Sequence, residues 1–364
     1  MNLRRMGSTI RELATATGLS VATVSMALRG TGRMSAETRA RVQAAAKKAG
    51  YQPSLLLSKA LSMVRQPEGK RHYRETLGFI AEFAVKGGPS FQRNIYEGAV
   101  ERAHKVGFNI EPFVLAEKPA EHRQLGRMLR ARGIRGLVIM PRLLHRMPRM
   151  FMPWEHFAAV EIGKTIWTPR NLHRVERPLY YELIEAFHVL KRVGYKRIGL
   201  AVEPMEDKNR RGVYTAAYLL WQRRIRQPLA PFSTEAWTIE KFRVWFEEQR
   251  PDVIVVHDTR SIPVWLKTMG VKVPDEVSVF SSNVGETNIS GLRADLPGLG
   301  SGAVEMLSLL LDHNELGLSP RPRCWEVEDY WQPGDTLSRP IADYISADGT
   351  VVLGRFAGSP SISG

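Results

Sequence analysis

The stretch from Ser8 to Leu61, STIRELATATGLSVATVSMALRGTGRMSAETRARVQAAAKKAGYQPSLLLSKAL, leaves little freedom in how it can fold. Its apolar residues recur at helical spacing in three short runs separated by turn signals. Helix one begins at Ser8 or Thr9, where Thr9 and Glu12 have capping-box spacing, and Ile10, Leu13 and Ala14 share one face. Gly18 can take the left-handed conformation that ends a helix. Ser20 then caps a second helix over Val21–Leu28, with Val24 and Leu28 inward and Val21, Ala22, Thr23, Ser25 and Met26 toward its N-terminal or outer side. Ser35 caps a third helix running to about Ala49, which buries Val42, Ala45 and Ala46 and stops at Gly50.

Charge adds a second constraint. The chain carries a net charge of +15, and residues 1–74 hold fourteen Lys or Arg against three Glu. Most of the excess therefore sits in the first fifth of the chain. Such a concentration suits a polyanion partner, although a solvated basic face has the same composition. Three helices with a tight Gly18-Leu19-Ser20 turn between the first two is the arrangement that lays a second helix in the major groove of duplex DNA.

The remaining numbers exclude other classes. A chain of 364 residues with 43% hydrophobic and 24% charged residues reads as a globular protein of two or three domains. Cys324 is the only cysteine, so no intrachain disulfide is possible and a reduced, cytoplasmic home is expected. No run approaches the roughly twenty apolar residues of a membrane span. The start, MNLRRMG, lacks an apolar core and does not read as a signal peptide; Met1 and Met6 are both acceptable starts.

The N-terminal run resembles the DNA-binding domain of the lactose repressor (LacI/GalR) family of bacterial transcription regulators. The matches are Thr9-Ile10, Leu13-Ala14, Gly18-Leu19-Ser20, Thr23-Val24-Ser25, Leu28, Ser35, Thr38-Arg39, Val42 and Gly50-Tyr51 followed by Pro53. The resemblance implies that Thr9, Thr23, Ser25, Ser35 and Thr38 present hydroxyls to phosphates, contacts that set register, and that Tyr51 belongs to the same interface. It places Val21, Ala22 and Met26 at the base-reading positions, where many members carry polar residues. Apolar side chains can meet a thymine methyl but cannot make bidentate hydrogen bonds, so base reading is expected to be modest and methyl-directed. Arg29 and Arg33 are open to either guanine or phosphate contact. Residues Ser54 to Leu61 resemble the family's hinge helix, which wedges an apolar side chain into the minor groove. Strict register puts Ala60 at the wedge with Leu61 one place later, and Leu57 exceeds the small residue expected there. A linker helix packed on a partner's copy is the alternative.

From Arg65 to Arg74 the chain is polar and basic, as a linker should be. Beyond it, strand patterns at Thr76–Ala81, Asn109–Leu115, Gly136–Met140, Ala158–Ile162, Arg197–Val202, Val253–His257 and Val277–Phe280 alternate with helices such as Asn94–Val106 and Pro178–Val193. Alternation of this kind argues for parallel sheets. The body resembles the family's effector domain, similar to a periplasmic sugar-binding protein. The matching segments are Tyr96-Glu97-Gly98, Gly133 to Ile139, Gly194 to Ile198, Pro251-Asp252, Gly270-Val271, Pro274 to Val279 and Gly334-Asp335-Thr336. The expected fold is thus an N-terminal all-α helix-turn-helix domain (8–52), a hinge helix and linker (53–74), and a two-lobed α/β effector and dimerisation domain with parallel sheets (75–345). Residues 346–364 remain as a C-terminal tail, read as flexible.

The resemblance implies an effector site in the cleft between the lobes. Asp258 stands where the family commonly keeps a ligand-binding acid, and Trp237 where a ring stacks on the effector, unless it merely packs in the core. Asn209 replaces the cleft arginine, with Arg210 beside it, and Asn283 replaces a later aspartate. These replacements change which hydroxyls or carboxylates can be satisfied. A sugar effector, an unusual ligand and no ligand all remain open.

Catalysis finds no support: there is no His-Glu-x-x-His, no Cys-His cluster, no Gly-x-Ser-x-Gly and no phosphate loop. No metal and no cofactor are expected. Gly298, Gly300 and Gly302 after Pro297 read as a loop entering a helix. The sequence therefore reads as a regulator, in keywords a repressor, that binds operator DNA as a homodimer and senses a small molecule. An effector-independent repressor and a small-molecule binding protein with no DNA role are the alternatives.

Overall fold

A computed structural model describes residues 10–28, 34–49, 75–142, 149–223, 225–257, 259–339 and 341. The main segments of its two compact units are Met1–Arg74 and Glu75–Leu309. The first contains helices α1 (Ile10–Thr17), α2 (Val21–Leu28) and α3 (Ala36–Lys48). Leu13, Ala14, Val24, Ala27, Val42 and Ala46 form its core, with Leu19, Leu28, Met34 and Ala45 packed around them. The inward pair on α2 is Val24 with Ala27, and Leu28 lies at the rim, half-buried. The expected hinge helix and C-terminal tail lie outside the described residues.

The second unit holds two sheets. The first, in the order β10-β5-β4-β3-β1-β2, comprises β1 (Thr76–Ala81), β2 (Asn109–Val114), β3 (Gly136–Ile139), β4 (Ala158–Ile162), β5 (His173–Glu176) and β10 (Cys324–Glu326). The second, in the order β11-β9-β8-β7-β6, comprises β6 (Ile198–Ala201), β7 (Val253–Val256), β8 (Ser278–Ser281), β9 (Gly291–Arg293) and β11 (Tyr330–Gln332). Every pairing is parallel except β11 with β9. Strands β3, β4, β6 and β7 are buried along their whole length, as parallel strands covered on both faces must be.

Parallel neighbours need helical crossovers. In the first lobe these are α4 (Ser90–Val106) and α5 (Pro119–Ala131). In the second they are α7 (Pro204–Asn209), α8 (Val213–Gln222), α9 (Ile239–Gln249) and α10 (Ser261–Thr268), while α6 (Leu179–Arg192) leads into β6. Helix α11 (Leu296–Asp312) follows β9 and packs on α4 of the first lobe.

Helix α11 corrects one sequence reading. Gly298, Gly300 and Gly302 lie in its opening turns rather than in a loop. A Cβ on Gly300 would lie 2.0 Å from the carbonyl oxygen of Ile95, and one on Gly98 would lie 2.2 Å from that of Pro297. Those glycines let two helix backbones touch, a role that looks like a turn signal in the sequence.

The chain passes between the two sheets after β5, after β9 and after β10. Arg177, directly after β5, ties two of these passages to the second lobe. Its Nε donates to Asp329 Oδ1 at 2.8 Å, and Nη2 donates to Asp329 Oδ2 and, at 2.8 Å, to the carbonyl of Ser282. Glu182 lies 3.4 Å from the same Nη2. All three charged side chains are buried. Removing only the cation would leave two carboxylates in a dry setting, which costs far more than the pair contributes. Arg177→Met is therefore expected to lower the unfolding free energy by about 3–5 kcal/mol. Urea denaturation checks this, and a loss below about 1 kcal/mol would remove the clasp from the account of stability.

Candidate nucleic-acid interface and ligand cleft

In the first unit the α1–α2 turn is built by Gly18, at φ 66, with Leu19 N donating to the carbonyl of Ala14 at 3.1 Å. Ser20 Oγ accepts from Thr23 N at 3.1 Å, and Ser35 Oγ accepts from Thr38 N at the same distance. Each cap is doubled by a hydroxyl pair, Ser20 with Thr23 and Ser35 with Thr38, both at 2.8 Å. The hydroxyls of Thr23, Ser35 and Thr38 thus first secure helix starts, and each Ser–Thr pair keeps one hydroxyl hydrogen for an outside acceptor. At helix N-termini these groups stand where backbone dipoles favour an anion.

Val21 opens α2 and is 42% exposed, and Met26 is half-buried on the same helix. Ala22 and Ser25 lie on α2, where only their backbone is described. Thr9, Arg29, Arg33, Tyr51, Ser54, Leu57, Ala60 and Leu61 lie outside the described residues, as does Asp258.

In the second unit the C-terminal ends of both parallel sheets carry the polar side chains, the place where open α/β sheets bind ligands. On the first lobe, Arg142 after β3 pairs with Glu82 after β1 at 3.1 Å, both deeply buried, and its Nη1 donates to the carbonyl of Arg149 at 3.2 Å. Glu161 in β4 accepts from Ile166 N at 2.7 Å. Burial pushes its pKa up to about 8, against the pull of the Ile166 and Thr165 backbone hydrogen bonds. On the second lobe, neutral His257 ends β7. Burial holds its pKa well below the usual value, and Arg210, Arg177 and Arg260 lower it further. Its Nδ1 lies 2.7 Å from Tyr214 Oη and its Nε2 lies 3.4 Å from Glu206. A neutral ring satisfies both contacts when Tyr214 donates and Nε2 carries the proton.

The predicted cleft residues fall on this second lobe. Asn209 ends α7 and is buried, with no partner for its Nδ2. Arg210 follows it, half-buried. Trp237 packs against Phe232 and Trp265, at ring distances of 4.8 and 5.4 Å, and its buried Nε1 also has no partner. It nevertheless lines a small cavity with Glu203, Glu206, His257 and Ser261. Packing and cavity lining are thus both true of Trp237. Asn283 follows β8, its backbone N donating to Ser281 Oγ at 3.1 Å.

Sequence reasoning missed the residue that joins the lobes. Arg211, between α7 and α8, donates from Nη2 to the carbonyl of Ile166 at 3.2 Å and stacks 4.7 Å from the ring of Trp167 on the first lobe. A positive φ of 59 at a non-glycine was the only local peculiarity. Glu161, His257 and Trp167 were also missed, because only tertiary contact gives them significance.

The raised pKa of Glu161 has a definite sign. Between the ordinary 4.5 and about 8 the folded chain keeps a proton that the unfolded chain has released, so stability falls as pH rises through that window. Glu161→Gln cannot ionise. Its melting temperature is expected to match the parent near pH 5 and to exceed it increasingly toward pH 8; parallel curves would contradict the shift.

Residues 9–54 match the family model described as bacterial regulatory proteins, lacI family. No curated protein matches the chain. Among solved structures, the lac repressor dimer bound to operator and the anti-inducer ONPF is 16% identical, with 92% of this chain and 100% of that chain covered and a TM-score of 0.54. A complex of the transcriptional regulator CelR with cellobiose is 16% identical, covering 90% and 99%, with a TM-score of 0.53. A putative transcriptional regulator LacI from Bacillus cereus subsp. cytotoxis NVH 391-98 is 19% identical, covering 73% and 99%, with a TM-score of 0.55. Identities this low speak for the fold, and the family model speaks for the N-terminal domain. The chain thus carries a lacI-family domain over residues 9–54 and shares its overall fold with these structures.

Proposed function

We propose that this protein is a sequence-specific DNA-binding transcriptional regulator, a repressor, that binds a pseudo-palindromic operator as a homodimer and is modulated by a small sugar-like effector in the interlobe cleft. The observation that carries the DNA reading is the Ser20-capped, outward-facing start of α2, set in a segment with eleven excess positive charges. Val21, Ala22 and Met26 supply methyl contacts, and the capping hydroxyls with Arg29 and Arg33 hold the backbone. Two half-sites require two copies, which the relative solved as an operator-bound dimer illustrates. Among the described residues no helix is long and apolar enough to cross a membrane, and a regulator of this kind works in the cytoplasm beside its DNA.

The effector reading rests on mixed polarity. Asn209 Nδ2 and Trp237 Nε1 are buried donors awaiting acceptors, while Glu203 and Glu206 offer acceptors beside a neutral His257. A sugar hydroxyl needs both kinds of group. The relative solved with cellobiose shows that this fold can hold a sugar. The role read from these groups is binding and regulation.

Three experiments test the proposal. Removing residues 1–74 is expected to abolish operator retention while the body still unfolds cooperatively; tight operator binding by the truncated body would refute the assignment. With the operator recovered by selection from random DNA, uracil in place of thymine across a half-site should weaken the intact protein, and unchanged affinity would remove the methyl contacts. Separately, thermal-shift screening of mono- and disaccharides should raise the melting temperature of the parent chain and not of Trp237→Ala. A screen without any shift would favour the effector-independent repressor.

A further inference from the structure

An open groove lies on the first lobe beside helix α5. Helix α5 packs directly on the segment Met150–Trp154. A Cβ on Gly126 would lie 2.4 Å from Cδ of Pro153, so glycine is what allows the close approach. Buried His122 fixes the junction: its Nε2 lies 2.7 Å from the carbonyl oxygen of Ala116, and its Nδ1 accepts from Phe151 N at 3.4 Å. Phe151, 36% exposed, stacks on that imidazole at 6.2 Å. On the other side Met150 N donates to the carbonyl of Thr168 at 2.8 Å, bringing Thr168 and Pro169 into the wall.

These contacts leave a groove of about 1050 Å³, counted to its open mouth, with Phe151, Met152, Trp154 and Leu318 along an apolar floor. Its rim carries Arg123 and Arg127, one turn apart on α5. No carboxylate among the described residues pairs with either guanidinium. Glu121, the one acid on the helix, is used at its start, accepting from Lys118 N at 3.2 Å. Like charges one turn apart repel on a helix, and the exposed ring of Phe151 gains from cover. A single kind of guest relieves both.

We propose that this groove binds a small monocarboxylate with an aromatic or short acyl body, its carboxylate held by Arg123 and Arg127 and its body on Phe151 and Trp154. The guanidinium fork matches a carboxylate. A phosphate would bring a second charge and a tighter hydration shell against a floor that offers nothing polar in return. The wall residues Thr168 and Pro169 continue directly from Ile166 and Trp167, which Arg211 contacts from the other lobe. An occupant therefore touches the segment that joins the lobes.

The test uses the full chain with its methionine methyl groups labelled for NMR, titrated with 4-phenylbutyrate, 4-phenylbutanol and acetate. Saturable shifts of the Met150 and Met152 methyls are expected with 4-phenylbutyrate, with at least about tenfold weaker binding of the alcohol and of acetate. Arg123→Gln combined with Arg127→Gln should weaken 4-phenylbutyrate by a similar factor and leave the melting temperature unchanged, since both side chains are exposed. Equal binding of the alcohol, an unaffected double variant, or shifts confined to other methionines would each overturn the proposal.

Discussion

A buried guanidinium cannot be discharged, so everything around Arg177 has to accommodate a fixed positive charge. Burial works against that charge, and the Asp329 and Glu182 carboxylates more than offset it, raising its pKa. Asp329 supplies the tighter pairing. Glu182, at 3.4 Å, is held less firmly, and burial pushes its pKa up to about 7. The third partner, the carbonyl of Ser282, comes from the loop after β8. The clasp therefore joins the end of the first sheet, the last passage between the lobes and the C-terminal edge of the second sheet.

That dependence explains how much of the molecule could be read in advance. Strands β1 and β4 have the bounds their apolar runs suggested, because a strand buried on both faces is written mostly in apolar residues, with Thr76 and Glu161 the exceptions. Helix α2 is likewise bounded by its own cap and turn. Short strands such as β5, β9, β10 and β11 carry polar residues, and take their place through neighbours distant in sequence. Arg177 and Asp329 are 152 residues apart, so no local pattern announces their pairing. The cleft divides in the same way. Asn209, Trp237 and Asn283 were proposed through resemblance in ordered motifs. Arg211 and Trp167 were not, since their meaning is a contact between lobes. The glycines of α11 mislead for a related reason: close helix contact and a loop ask for the same residue.

The polarity of the cleft then has a direction. Asp207 is consumed locally, accepting from Tyr214 N at 3.0 Å and from Thr215 Oγ1 at 2.5 Å, and Glu82 is consumed by Arg142. Glu161 stays protonated through neutral pH. On the first lobe Glu82 is thus paired and Glu161 protonated, while on the second the unpartnered amide of Asn209 and indole of Trp237 are accompanied by Glu203 and by Glu206 beside His257. A ligand recognised by these groups is held mainly by the second lobe. It senses closure only through what the first lobe extends toward it.

What the first lobe extends is the loop after β4. Ile166 and Trp167 receive Arg211, while two residues further on Thr168 and Pro169 wall the groove beside α5. Arg211 itself follows Asn209 and Arg210 on one short turn, so a molecule that draws Asn209 toward it also moves the group that reaches Ile166. Binding energy can shift a lobe equilibrium only through contacts that differ between the two states. Here those contacts converge on a loop of four residues, reached from the cleft at one end and from the groove at the other. Any coupling between the two sites must therefore be reciprocal, because each would bias the same segment.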